Sequence, residues 1–231
     1  MRDRAAGGID IMLVRESTEG LFARRLRPPD PASGTVEDVL RITRAGAERV
    51  IRSAFRQAER RRKRLALVDK ANVLPSMAFF RGVFDEIAPE FPTVETERVY
   101  VDAAVLYLVT QPERFDVIVT ENMFGDILSD LLAGLVGGMG MAPSAGIGDR
   151  HAVFQPSHGS APDIAGQGAA NPTATILSAA MMLELLGERR AAERINTAVR
   201  TVFAERTSRT RDMGGALATG ELTDAIIAVL P

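Results

Sequence analysis

The chain has 231 residues, 46% hydrophobic and 25% charged, which is material for a large core in one big or two small domains of a soluble globular protein. A formal net charge of −2 argues against a nucleic-acid surface, and the absence of cysteine excludes disulfides, thiolate metal sites and a cysteine nucleophile, a pattern that suits a cytoplasmic protein. No stretch approaches an uninterrupted membrane span and Met1-Arg-Asp-Arg4 lacks the apolar segment of a signal peptide, so neither a membrane partner nor secretion is expected.

The first apolar run, Ile9-Asp-Ile-Met-Leu-Val14, predicts a strand leading into the polar turn Arg15-Glu-Ser-Thr-Glu-Gly20. Proline and charge in Arg24–Gly34 predict an exposed arm, spanning about 23–42, that touches a partner subunit. Ala47, Val50, Ile51, Ala54, Phe55 and Ala58 recur at helical spacing, and the basic run Arg60-Arg-Arg-Lys-Arg64 reads as the solvated end of that helix, matched to its dipole. The strand Leu65–Val68 follows, then a helix near Met77–Ile87, a strand near Val99, a helix from Ala103 and a strand Val117–Val119. Such alternation implies an α/β sheet.

Of 28 basic residues only Lys63 and Lys70 are lysine. Lys70 stands where the strand Leu65–Val68 ends, and strand ends are where α/β folds build sites. Arginine keeps its proton in a protein, whereas a partly desolvated lysine can act as a base. A lysine that merely escaped drift towards arginine explains the position equally well at this point. Asp126 and Asp130, in Asn122-Met-Phe-Gly-Asp-Ile-Leu-Ser-Asp130, fall four apart on a helix carrying Ile127, Leu128, Leu131, Leu132 and Leu135, so both carboxylates share one face. Their repulsion would be relieved by a hard divalent cation. Spacing alone fits a solvated acidic face as well or better.

Beyond Gly137-Gly138, the stretch Met139–Gly148 reads as a glycine-rich crossing and hinge; it follows a helix and lacks the glycine spacing of a dinucleotide fingerprint. The last third reads as helical. Its best-defined helix starts at Asn171-Pro172 and ends at Gly187, with Met181, Met182 and Leu185 assigned to the core.

Taken together, Val14-Arg-Glu-Ser-Thr-Glu-Gly20, Val68-Asp-Lys-Ala-Asn-Val-Leu74, Val101-Asp-Ala103, Asn122–Asp130, and His158-Gly-Ser-Ala-Pro-Asp-Ile-Ala-Gly166 with Asn171-Pro172 resemble the β-decarboxylating dehydrogenases. That family includes isopropylmalate, isocitrate, homoisocitrate and tartrate/malate enzymes. The resemblance implies a two-domain isopropylmalate-dehydrogenase-like α/β fold with a central sheet flanked by helices. Residues 9–138 would form a dimerisation and metal/substrate domain, and 139–231 the C-terminal part of a cofactor domain. It implies oxidation of a 2-hydroxy diacid by NAD with Mg2+ or Mn2+, then loss of a β-carboxylate, in a homodimer with shared sites. Asp126 and Asp130 would be metal ligands from one subunit and Asp102 from the other. Lys70 would reach across the dimer as the base near the hydroxyl, with Asp102 beside it in the catalytic set, and Arg15 would grip a substrate carboxylate. His158, Gly159, Ser160, Ala161 and Ile164 would line adenine and ribose, and Asn171 would contact adenine. Asp163 would accept ribose hydroxyls and repel a 2′-phosphate, favouring NAD over NADP.

Two features depart from the family pattern. Phe22 stands where a tyrosine that helps protonate the enol carbon is usual, and Gln155 replaces a usual glutamate. The resemblance also implies that on the order of a hundred residues precede Ile9 in a complete relative, so the chain reads as N-terminally truncated and its substrate cannot be named from these residues. A non-catalytic or regulatory subunit, or a truncated remnant, is the alternative reading.

Overall fold

The computed structural model describes residues 8–22, 34–205 and 207–231. The expected arm falls largely on 23–33, outside the described residues, while 34–42 run as irregular chain, mostly exposed, with an antiparallel bridge between Gly20 and Arg41 and Ile42 packed on the core. The chain divides into two compact units, Met1–Leu132 and Ala133–Pro231.

The first unit is built in order from β1 (Met12–Arg15), α1 (Arg44–Glu59), β2 (Arg64–Asp69), α2 (Pro75–Ile87), β3 (Glu95–Tyr100), α3 (Val101–Thr110), β4 (Val117–Thr120) and α4 (Asn122–Leu135). All pairings are parallel, in the order β1-β4-β2-β3. Parallel neighbours need crossovers, and α1, α2 and α3 supply them. Strand β4 is buried throughout and β2 from Leu65 onward, which is why both read as unbroken apolar runs rather than alternating ones. Leu65, Leu67, Val117 and Val119 pack with Ala47, Val50, Ile51, Ala54 and Phe55 of α1 and Phe80, Val83, Phe84 and Ile87 of α2. Phe55 stacks on Phe84 at 5.2 Å and on Phe91 at 4.6 Å.

The basic run is not simply a solvated helix end. Asp116, buried before β4, accepts from Arg61 Nε and from the backbone N–H of Arg62, both at 2.8 Å, and Arg61 also pairs with Asp10. A buried carboxylate requires such partners, so the run ties α1 to the start of the sheet. Lys63, at φ +59°, makes the tight turn into β2.

The second unit contains β5 (Pro143–Ile147), β6 (Ala152–Pro156), α5 (Thr173–Leu185), α6 (Arg189–Ala204) and α7 (Thr219–Ala228). Two expectations fail here. The glycine-rich crossing contains a strand, because β5 pairs antiparallel with β6 across its whole length, and the last third is therefore not purely helical. Backbone pairing and α5 packed on both strands override the poor strand propensity of Pro-Ser-Ala-Gly. Met182 and Leu185 are exposed rather than core, since α5 is apolar on every side and its buried residues are the small Thr173, Ala174, Ser178 and Ala180. The apolar cluster of this unit lies instead around Ala198, Val199, Val202, Leu222 and Ile226.

Candidate functional site

Parallel register puts the C-terminal ends of four strands on one edge. Arg15 closes β1, Asp69 closes β2 with Lys70 next, Tyr100 closes β3 with Asp102 in the first turn of α3, and Thr120 closes β4 with Glu121 and Asn122 next. Open parallel sheets bind their ligands at this edge.

One cluster forms around Arg15. Its Nε and Nη2 donate to Asn122 Oδ1 at 2.9 and 2.6 Å, and its Nη1 donates to Asp126 Oδ1 at 2.6 Å. Asn122 is buried, and its Nδ2 donates to the Glu19 carbonyl at 2.8 Å. Glu121, also buried, accepts from the backbone N–H of Met123 at 3.0 Å and of Phe124 at 2.7 Å, so it caps α4, which starts at Asn122. Burial pushes the Glu121 carboxyl above the usual range, outweighing those N–H bonds and the nearby Arg15 charge. The Phe22 ring centroid lies 5.6 Å from Arg15 Cζ, with the ring more than half exposed.

The second cluster forms around Lys70, whose Nζ pairs with Asp102 Oδ1 at 2.5 Å. The Lys70 bond holds the Asp102 carboxyl below the usual range, helped by backbone N–H groups of the first turn. Lys70 Nζ and Arg81 Cζ lie 5.7 and 5.1 Å from the Tyr100 ring centroid. Arg81 in turn grips the fully buried Asp69 with Nε and Nη2, both at 2.7 Å.

Two strand spacings separate β1 from β2 in this order, about 10 Å, and among the described residues no hydrogen bond or ion pair joins the Arg15 set to the Lys70 set. Asp126 and Asp130 are exposed one turn apart on α4, a pair of hard oxygen donors suited to a divalent cation. Asp102 lies with Lys70 in the other cluster, and among the described residues no three His, Asp or Glu side chains converge. A single chain therefore offers two of the three expected carboxylates.

The expected cofactor residues lie in the second unit, after β6. His158 Nδ1 is 2.8 Å from the Gly159 carbonyl, which makes that nitrogen the N–H donor. Gly159, Ser160, Ala161 and Asp163 are exposed, His158 and Ile164 half-buried, and Ala161 sits at φ +43° before a 3-10 turn over Pro162–Ile164. Asn171 is buried: Oδ1 accepts from the Thr173 N–H at 3.0 Å, and Nδ2 donates to Asp212 at 3.1 Å. It thus organises the start of α5, which begins at Thr173 with Pro172 as its cap residue, one step later than expected.

Sequence reasoning assigned no role to Asn122, Glu121, Asp69 or Arg81. An acidic residue between a strand and a helix, as in Thr120-Glu121-Asn122, is the signal that marks Glu121 as a cap. Nothing local marks Arg81 as the partner of Asp69, twelve residues away.

A family model described as isocitrate/isopropylmalate dehydrogenase matches residues 1–226. The isocitrate/homoisocitrate dehydrogenase of Thermus thermophilus is 52% identical over 225 residues, which cover 96% of this chain and 66% of that protein. A 3-isopropylmalate dehydrogenase of Archaeoglobus fulgidus is 47% identical, with 96% and 68% covered. The crystal structure of isocitrate dehydrogenase from Methylococcus capsulatus matches with a TM-score of 0.88 at 46% identity, over 94% of this chain and 66% of that one. The chain spans about two thirds of the length of these relatives. It belongs to the isocitrate/isopropylmalate dehydrogenase family.

Proposed function

We propose that this chain carries the metal- and substrate-holding part of an oxidoreductase that uses NAD and Mg2+ or Mn2+ to oxidise and decarboxylate a 2-hydroxy diacid of the isocitrate, isopropylmalate, tartrate or malate type. The observation that carries the reading is the single strand-end edge where Arg15, Lys70, Asp102 and Asp126 are all delivered. The names of the relatives, isocitrate/homoisocitrate and 3-isopropylmalate dehydrogenase, agree with it.

In this reading residues 9–138 form the dimerisation and substrate domain, and 139–231 contribute to cofactor binding. Arg15 orients a carboxylate of the substrate, its fork matching a carboxylate in two N–H bonds. Asp126 and Asp130 of one chain, with Asp102 of a second copy, would hold the cation, which would supply Lewis-acid stabilisation of negative charge on the substrate. Asp102 holds Lys70 in place as the ammonium; to take the hydroxyl proton, Lys70 of the second copy would first release its own proton to solvent and act as the neutral amine. The separation of the two clusters within one chain supports a dimer with shared sites. Asp163 is an exposed carboxylate beside a turn, suited to the two hydroxyls of the NAD ribose. A cytoplasmic setting is part of the reading, supported by the lack of cysteine.

Phe22 has no proton to give, so the enol carbon is protonated by water or by Lys70. The same residue favours the second reading, a non-catalytic subunit, which would have no use for Lys70, Asp102, Asp126 and Asp130 together. Incubating the chain with NAD, Mg2+ and a panel of 2-hydroxy diacids tests the first reading: equal yields of NADH and CO2 from one of them support the enzyme, and neither product from any contradicts catalysis by this chain.

A further inference from the structure

The three bonds that hold the Arg15 guanidinium differ in kind. On one edge Nε and Nη2 share a single neutral oxygen of Asn122, a side chain only 1% exposed, whose own amide is fixed to the Glu19 carbonyl. Glu19 is itself held, since its carboxylate accepts from Thr43 at the start of α1 and packs on Gly46, where a Cβ would come within 2.7 Å of it. On the other edge a single bond joins Nη1 to Asp126, a residue 53% exposed in its side chain. One attachment is buried, neutral and braced; the other is solvated and charged.

Five N–H groups leave a guanidinium in a planar fork, and three are used here, so one on each Nη remains free. An incoming carboxylate can replace Asp126, charge for charge, but has no means of replacing a buried neutral amide without uncovering Asn122 Oδ1. We propose that Asn122 is a positioning residue that keeps the Arg15 guanidinium in place while its ionic partner changes from Asp126 to a carboxylate of the substrate. The proposal rests on the reading above, in which Arg15 takes that carboxylate and Asp126 the cation.

The exchange makes the two ligands interdependent. A cation arriving alone finds the Asp126 charge already paired with Arg15 through Oδ1; a dianion arriving alone finds Asp126 on the fork and Asp130 one helical turn on. Arriving together, each takes the partner the other has freed. Coupling of this kind is reciprocal and typically about 5- to 150-fold.

The test is Mn2+ binding to the full chain, followed by the free-ion electron paramagnetic resonance signal, without and with (R)-malate, a small 2-hydroxy diacid with a β-carboxylate. Malate should tighten Mn2+ binding by a factor in that range for the wild type. In Asn122→Ala the factor should fall and malate affinity should drop by about tenfold or more through loss of two bonds to a charged group, with Mn2+ affinity alone little changed. Unaltered coupling in Asn122→Ala overturns the proposal. Mn2+ bound without any coupling in the wild type overturns it too while leaving the metal assignment intact, whereas no Mn2+ binding at all removes the underlying reading. A second measurement needs no change at 122. The Arg15 Nε–H proton, identified by its loss in Arg15→Lys, should exchange slowly with solvent both with and without malate. Fast exchange in either state contradicts a guanidinium anchored on Asn122.

Discussion

Gly125 on α4 and Arg15 on β1 approach so closely that a Cβ on residue 125 would lie 2.5 Å from Arg15 Cγ and 2.8 Å from its Cβ. The backbone of the helix forms one wall of the arginine's channel, and only a glycine leaves room for it. A Gly→Ala change in a helix normally gains about 1 kcal/mol, whereas overpacking against the root of a side chain costs about 1–3 kcal/mol. Gly125→Ala should therefore lower or barely change stability in the wild type and weaken malate binding, yet stabilise an Arg15→Gly background, which lacks both the Cβ and the Cγ it would meet, by about 1 kcal/mol. Urea unfolding of the four proteins checks the change of sign.

Asp69 and Arg81 brace the other cluster. Asp69 is completely buried, and both of its oxygens receive Arg81. Removing the cation strands a buried carboxylate, so Arg81→Met should cost about 3 kcal/mol. It should also release the Tyr100 ring that faces Lys70. Denaturant midpoints measure the first effect. Because Lys63 and Lys70 are the two lysines in the chain, 13C-lysine spectra resolve the second as a change in the Lys70 side-chain signal alone.

The alternation of α1, α2 and α3 with the strands was legible because parallel strands buried on both faces carry long apolar runs and their helices a clear stripe. Hairpin β5–β6 was not, since Pro143-Ser-Ala-Gly-Ile147 gains its strand from pairing and from α5 rather than from propensity. In the candidate site, Arg15, Lys70, Asp102 and Asp126 were marked by their motifs. Asn122, Asp69 and Arg81 act through contacts between distant segments, such as Arg15 to Asn122 across 107 positions, which no local pattern records.

Glu121 gives the site a pH signature. Burial raises its carboxyl, so the folded chain keeps a proton that the unfolded chain has released. The stabilisation from this group is full below the ordinary glutamate value, about 4.3, and is lost as pH rises through the raised value. Glu121→Gln does not titrate. The unfolding free energy of the wild type relative to that variant should decline across this window and level off above it. A difference that grows with pH between 4 and 8 contradicts the burial argument.

In the proposed reading cofactor choice turns on Asp163. Its exposed carboxylate should favour a ribose diol and repel a 2′-phosphate, so kcat/KM with NAD should exceed that with NADP. Asp163→Asn should narrow the ratio by weakening use of NAD and relieving the repulsion of NADP. A ratio that Asp163→Asn leaves unchanged would assign the preference to another residue.

Complementation tests the central claim most directly, that the strand-end edge is a dehydrogenase site assembled from two copies. Lys70→Ala keeps its Asp126 and Asp130 but lacks the base; Asp126→Asn with Asp130→Asn keeps Lys70 but lacks the cation ligands. Each alone should form no NADH from the substrate that the wild type decarboxylates. Unfolded together and refolded as an equal mixture, they should regain about a quarter of wild-type turnover, since half of randomly formed two-fold dimers are mixed and each has one intact site. Turnover by the mixture no greater than the sum of the two variants would contradict a site shared between copies.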